Sequence, residues 1–469
     1  MIASLKRAFA PPPAIPRLPE PEVQRLYPRF RYRILESTFL GYAMFYLVRN
    51  NLSPVTKDLE HALHYTDGML GKIMAVTALS YGIGKFLMGA VSDRSNARVF
   101  MATGLLLSAL CNFAFGAAHT YGMHLFLWTL NGFFQGMGWP PCGRSMGHWF
   151  SERERGLTFS TWNTSHNLGG GIAGALTGWA VSYFHAWQYA FYIPGVLALV
   201  GSVYIFTRLL DTPQSVGLPP IEEYKNDYVR PREEGAADER ELTFRELFVY
   251  YVLRNKFVWI LAVANFFAYI SRYSMLDWGP MYLRELKGTD VKGGGLAILF
   301  SEFGGIPSTI FLGWVSDKIG GRRGAIAALS MIPIILAFSA MMYITNSNYA
   351  AAWSTQHHLY FDYAMLTVIS FFIYPVINLI TIMALDLTSK KAIGTAAGFI
   401  GLFGYVGRMA QAWTFGSMLD HFKKAAGVAT AWQMVFYAIL GCSILAFFML
   451  AVTWTWGPRT NAAKQDSMA

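Results

Sequence analysis

The turn GAVSDRSNAR, residues 89–98, returns as GWVSDKIGGRR at residues 313–323, and this recurrence decides the architecture. Each copy begins with glycine, places an aspartate four residues on and ends in basic residues. The glycine is expected to let two helices approach closely, and the aspartate and cations to bridge neighbouring helix ends. Outward from the turn, a second feature repeats. Arg49 lies in the apolar segment GYAMFYLVRNN (41–51), and Arg272 in AYISRYSMLDW (268–278). Asp93 and Asp317 are 224 residues apart, Arg49 and Arg272 223. Two unlike features at nearly one spacing make the chain a parallel repeat, as in rocker-type secondary transporters with a midplane site between two halves.

Composition fixes the solvent. Of 469 residues 54% are hydrophobic and only 14% charged, against about 25% charged in soluble domains. Apolar runs long enough to cross about 30 Å of hydrocarbon fall at 34–58, 69–91, 99–117, 121–148, 156–184, 187–209, 257–285, 293–316, 324–345, 359–387, 392–419 and 428–454. Such runs are helices, because lipid requires each segment to satisfy its own backbone. The expected fold is an all-α membrane protein, with twelve transmembrane helices in two pseudo-symmetric six-helix halves. The halves are 34–209 and 257–454, flanked by a cytoplasmic N-terminal segment 1–33 and a tail 455–469. Between them, 210–256 is rich in charge, proline and glycine and reads as a cytoplasmic linker.

The net charge of +10 follows from loop asymmetry and does not call for nucleic acid. Basic residues crowd the N-terminal segment and alternate short loops, so both termini are expected in the cytoplasm and the chain in the inner (plasma) membrane. The first thirty residues lack the apolar core of a cleaved signal peptide. Cys111, Cys142 and Cys442 show neither disulfide nor metal spacing. No GxxxxGK[ST] phosphate loop occurs, which argues against a primary pump.

A central intramembrane arginine costs about 2.5–3.5 kcal/mol on insertion scales. On a helix, Tyr42, Tyr46 and Arg49 share one face, and Tyr269 precedes Arg272 by three residues. Tyr81 and Lys85 form an i, i+4 pair, Asn163 and His166 an i, i+3 pair, and Tyr374 and Tyr405 lie in later spans. Taken singly, Lys85 fits a structural ion pair as well as a ligand, His166 fits an interhelical hydrogen bond, and Trp139, Tyr374 and Tyr405 fit packing. Glu302 is the clearest buried acid and is expected to partner one of the cations as a switching ion pair. The cationic excess calls for an anion, and arginine suits a phosphate monoester because its planar fork binds two oxygens. Arg408 has two readings. It points into the cleft to receive a second anionic group, or it turns away to pair with an acid or carbonyls near the cytoplasmic or extracellular end.

NGFFQGMGWPPCGRSMGHWFSERERG (131–156), WNTSHNLGGG (162–171), DTPQSVGLPPIEEYKNDY (211–228), RYSMLDWGPMYLRELK (272–287) and GTAAGFIGLFGYVG (394–407) resemble the organophosphate:phosphate antiporters of the major facilitator superfamily. The resemblance covers nearly the whole chain apart from both tails. It implies that Arg49 and Arg272 are paired phosphate-binding arginines, and Lys85 and His166 supporting cations. It also implies that Tyr42, Tyr46, Tyr81, Asn163, Tyr269, Tyr374 and Tyr405 line the site; Trp139 and Arg408 are candidates for selectivity on this chain's own residues. Asn50 departs from the family pattern, which places a lysine after the first arginine, and so does Arg408.

The implied activity is exchange of an organophosphate, glycerol-3-phosphate first, for inorganic phosphate by alternating access in a monomer. A sugar phosphate or phosphoglycerate is the alternative substrate. No catalytic residue, metal or cofactor is implied. A non-transporting sugar-phosphate sensor and a proton-coupled symporter using His166 and Glu302 are the competing readings.

Overall fold

The computed structural model describes residues 9–227, 249, 252–318, 322–346, 353–387 and 393–456; among these, the regular structure is helical throughout. In chain order the helices are α1 (Glu20–Leu47), α2 (Thr56–Leu63), α3 (Asp67–Ser92), α4 (Ala97–Ala117), α5 (Tyr121–Gln135), α6 (Trp139–Trp149), α7 (Glu152–Asn163) and α8 (Ser165–Phe184). There follow α9 (Tyr189–Arg208), the short α10 (Ile221–Lys225), α11 (Lys256–Leu286), α12 (Val291–Lys318), α13 (Arg323–Asn346), α14 (Thr355–Leu387), α15 (Ile393–Ala426) and α16 (Val428–Ala451). Polar side chains set several starts. Thr66 accepts from the amide of Met69, Asn96 from Arg98, and Asn255 from Phe257, satisfying backbone donors that have no partner within the helix.

Eight of these helices are long and apolar enough to cross a membrane. Their outward side chains suit lipid: Leu336 is 63% exposed and Val200 61%. Three expected spans are interrupted. The run 34–58 ends its helix at Leu47, because Asn50, Asn51 and Ser53 favour turns and Pro54 cannot continue a helix. In exchange, α1 starts at Glu20, inside the segment expected to lie outside the membrane. The run 121–148 breaks at Gly136-Met137-Gly138, and 156–184 breaks at Thr164.

Helices before residue 209 and those after 256 form two sets that meet along α3 against α15 and α8 against α12. At the second seam the backbones nearly touch: a side chain at Gly295 would collide with the Gly174 carbonyl. On the face away from the termini the sets are sealed. Arg284 pairs with Asp58, Lys57 reaches Glu285 at 2.7 Å, Lys423 bridges Glu285 of its own set and Asp67 of the other at 2.8 Å each, and Ser53 Oγ donates to the carbonyls of Leu276 and Asp277. On the terminal face they part around a cavity of about 520 Å³ lined by Lys85, Trp139, Leu402 and Tyr405.

The expected roles of Gly89 and Asp93 are not what the turn does here. A side chain at Gly89 would meet open space, since Gly89 lines that cavity. Asp93 is exposed, and the bridge is made instead by Arg144, which binds the carbonyls of Ser92 and Ser95 and pairs with Asp211 at 3.0 Å. The start of the expected linker docks on the first helices. Tyr27 donates to the Pro219 carbonyl at 3.0 Å and stacks on Tyr224. The residues from 228 to 248, those after 456 and the side chain of Asp317 lie outside what is described.

Gly295→Leu, which overpacks the α8–α12 seam, should lower the thermal midpoint of the detergent-solubilised protein by several degrees, for a cost of roughly 1–3 kcal/mol. Gly441→Leu, where a side chain meets open space, should leave the midpoint unchanged. Equal midpoints for the two variants would remove the close-packed seam.

Candidate functional site

Arg49 does not lie on the α1 helix. It sits two residues past the helix end, with its amide on the Tyr46 carbonyl at 3.2 Å. Tyr42, Tyr46 and Arg49 nevertheless converge, since the turn folds the guanidinium back over the Tyr46 ring, 4.3 Å from its centroid. A second ring, Tyr81 of α3, lies 4.2 Å away. Nε donates to Gln135 Oε1 at 2.9 Å, and Nη2 is buried without a partner.

Arg272 occupies the middle of α11. Its guanidinium stands 4.1 Å from the Tyr374 ring and 5.0 Å from Tyr273, and its Nε too is buried without a partner. Among the described residues neither arginine makes an ion pair. Aromatic faces attract cations, by about 2 kcal/mol or more when desolvated, but leave N–H donors unused. Each guanidinium thus keeps a buried N–H donor unused, and such donors in an apolar interior are groups that an anion can satisfy.

His166 joins them. Its ring centroid is 5.7 Å from that of Tyr46 and 5.6 Å from that of Tyr374, so Tyr46, His166 and Tyr374 run from one arginine to the other. The break at Thr164 makes this geometry possible. It frees the Asn163 carbonyl, and His166 Nδ1 donates to it. A carbonyl only accepts, so Nδ1 carries a proton. Asn163 thus contributes its backbone carbonyl to the setting of His166.

A second aromatic line closes the side toward α15. Tyr81 and Tyr405 meet at 4.7 Å, Tyr405 and Tyr269 at 5.5 Å, and Tyr269 and Tyr273 at 5.4 Å. Lys85 stands further along α3, its Nζ 4.9 Å from the Trp139 ring, at the wall of the terminal-face cavity. It is therefore at the mouth of the site rather than beside the arginines.

Glu302 behaves differently from expectation. It is fully buried, but no ion pair forms in this structure. Its Oε2 accepts from Asn167 Nδ2 at 2.9 Å and from the Tyr374 hydroxyl. The reason is reach: Tyr374 lies between Glu302 and Arg272, bonding the one with its hydroxyl and the other with its ring face. Arg408 matches neither of its two readings in full: it pairs with an acid, Asp277, through Nε at 3.1 Å and Nη2 at 2.6 Å, but that pair lines a small cavity together with Arg49 and not an outer end of the helices.

Sequence reasoning passed over Gln135, Asn167, Tyr273 and Trp162. Gln135 and Asn167 are polar residues beside helix breaks, and Tyr273 adjoins Arg272, which are the signals that mark them. Trp162 carries none, and only its stacking on Tyr42 at 5.0 Å reveals it.

Comparison with known proteins places this geometry. Over 460 residues the chain is 40% identical to the glycerol-3-phosphate transporter of Bacillus subtilis, covering 97% of this chain and 99% of that one. It is also 40% identical to the glycerol-3-phosphate transporter of Haemophilus influenzae, covering 93% and 94%. A crystal structure of a bacterial homologue of the human lysosomal transporter Spinster superposes with a TM-score of 0.70 at 14% identity, over 92% of this chain and 99% of that one. The model of the Major Facilitator Superfamily matches residues 38–412, and with paired unsatisfied arginines in a helical, lipid-faced fold, the chain belongs to that superfamily.

Proposed function

We propose that the chain is a secondary transporter that exchanges an organophosphate, glycerol-3-phosphate first, for inorganic phosphate. The observation that carries this is the pair Arg49 and Arg272, each cradled by tyrosine rings, each with an unused buried N–H, and neither paired with an acid. A phosphate dianion supplies the missing acceptors. Arginine holds two of its oxygens in plane and cannot lose its charge.

Twelve membrane crossings in two six-helix halves fit the helix order if α5–α6 and α7–α8 each count as one broken crossing. Arg49 then belongs to one half and Arg272 to the other. A phosphate between them satisfies both and draws the halves together around itself. An empty site leaves two cations facing each other in low dielectric, which disfavours the closed intermediate. Exchange follows: reorientation needs a bound anion, so each inward anion is matched by an outward one. The basic residues at the terminal face, Arg94 and Arg98 among them, support cytoplasmic termini in the inner membrane, and the open cavity then faces the cytoplasm. A single chain contains the whole site, which supports a monomer. The reaction makes and breaks no covalent bond.

Arg49→Lys and Arg272→Lys keep the charge but lose the fork. Each should reduce exchange of radiolabelled phosphate in proteoliposomes by about tenfold to a hundredfold, for the loss of roughly 1.5–3 kcal/mol in charged hydrogen bonding. Normal exchange in either would end the phosphate-clamp reading, and tight binding without exchange in the unaltered protein would make it a sensor.

His166→Gln keeps a side chain able to hydrogen-bond and should retain part of the phosphate affinity, whereas His166→Ala should lose more. Unaltered binding in both would return His166 to a packing role.

The seal on the far face should be releasable. Glu285→Gln weakens the pairs to Lys57 and Lys423 and should raise labelling of a Thr56→Cys marker by a membrane-impermeant maleimide several-fold. Unchanged labelling would leave these ion pairs without a gating role.

A further inference from the structure

On the closed side of the site Arg49 shares a cavity of about 20 Å³ with Asn50, Asp277 and Arg408, room for roughly one water. Asp277 is the acid lining it among the described residues, and Arg49 and Arg408 are the cations. Asp277 is 3% exposed. Its Oδ2 accepts from Arg408 Nε at 3.1 Å and Gln411 Nε2 at 2.8 Å, and its Oδ1 accepts from Arg408 Nη2 at 2.6 Å. The Tyr273 ring, 4.1 Å from the Arg408 guanidinium, holds that fork in place. Asn50 brings only a neutral amide, whose Nδ2 has no partner. Arg49 Nη2 is likewise unused.

We infer that Arg408 is a positioning residue for Arg49: by saturating the Asp277 carboxylate, it keeps the Arg49 guanidinium free for phosphate. A buried carboxylate stripped of its cation is strongly destabilising and takes the nearest substitute. Inside this cavity that substitute is Arg49. An Arg49–Asp277 pair would satisfy the acid and close the phosphate site with an internal anion. Asn50, in the same lining, is neutral and offers no cation in place of Arg408.

The inference rests on the phosphate-clamp reading, and binding of inorganic phosphate to the purified full chain, followed by calorimetry, separates the two. Arg408→Gln should raise the Kd for phosphate at least about tenfold. Asp277→Asn, which removes the internal competitor, should bind within about threefold of the unaltered protein, and the double variant Asp277→Asn/Arg408→Gln should return to that range. Arg408→Lys, which keeps a cation on Asp277, should rescue most of the affinity. Unchanged binding in Arg408→Gln, a tenfold loss in Asp277→Asn, or a double variant that stays weak or fails to fold would each overturn the assignment. Should Arg408→Gln itself not fold, Asp277→Asn and the double variant carry the test. Failure of the clamp reading would show elsewhere, as unaltered binding in Arg49→Lys with Asp277 and Arg408 intact.

Discussion

Everything in this molecule answers to two guanidinium groups kept in an apolar interior without an acid. Such a charge is tolerated only where other groups share it, and here the sharing falls to aromatic faces. Tyr46 and Tyr81 flank Arg49, and Tyr273 and Tyr374 flank Arg272. Rings stabilise the cations without occupying the N–H donors, so Arg49 Nη2 and Arg272 Nε stay unused. A carboxylate in place of a ring would stabilise them more and abolish the use. This explains why the acids nearest the site are engaged otherwise, Glu302 by Asn167 and Tyr374, and Asp277 by Arg408 and Gln411.

The scaffold places those rings through breaks rather than through regular helices. The end of α1 at Leu47 turns Arg49 back over Tyr46. The interruption at Thr164 exposes a carbonyl that fixes the His166 ring, and the one after Gln135 sets Trp139 beside Lys85. Irregular backbone at membrane depth is tolerated where it lines a cavity or is buried in protein, and these three breaks satisfy that condition. The strong seals lie elsewhere, in the ion pairs of the far face and in the glycine contact between α8 and α12.

Much was legible in the chain by itself. Hydropathy and length require helices in lipid, because no other element of that length satisfies its own backbone there. The spacing of Arg49 to Arg272 and of Asp93 to Asp317 raises the expectation of a repeat, and an arginine in an apolar run that of an anion. Those inferences depend on composition and periodicity, which are properties of sequence alone.

Which groups meet was decided by tertiary structure. The sequence could not say that Arg408 would find Asp277, since the two lie 131 residues apart and only the packing of α11 on α15 joins them. Nor could it place Glu302 behind Tyr374, or show that Arg144 and not Asp93 ties the helix ends at the repeated turn. Charge type and burial are written locally, residue by residue. Pairing depends on distances between helices distant in the chain, and those are fixed only once the helices have packed.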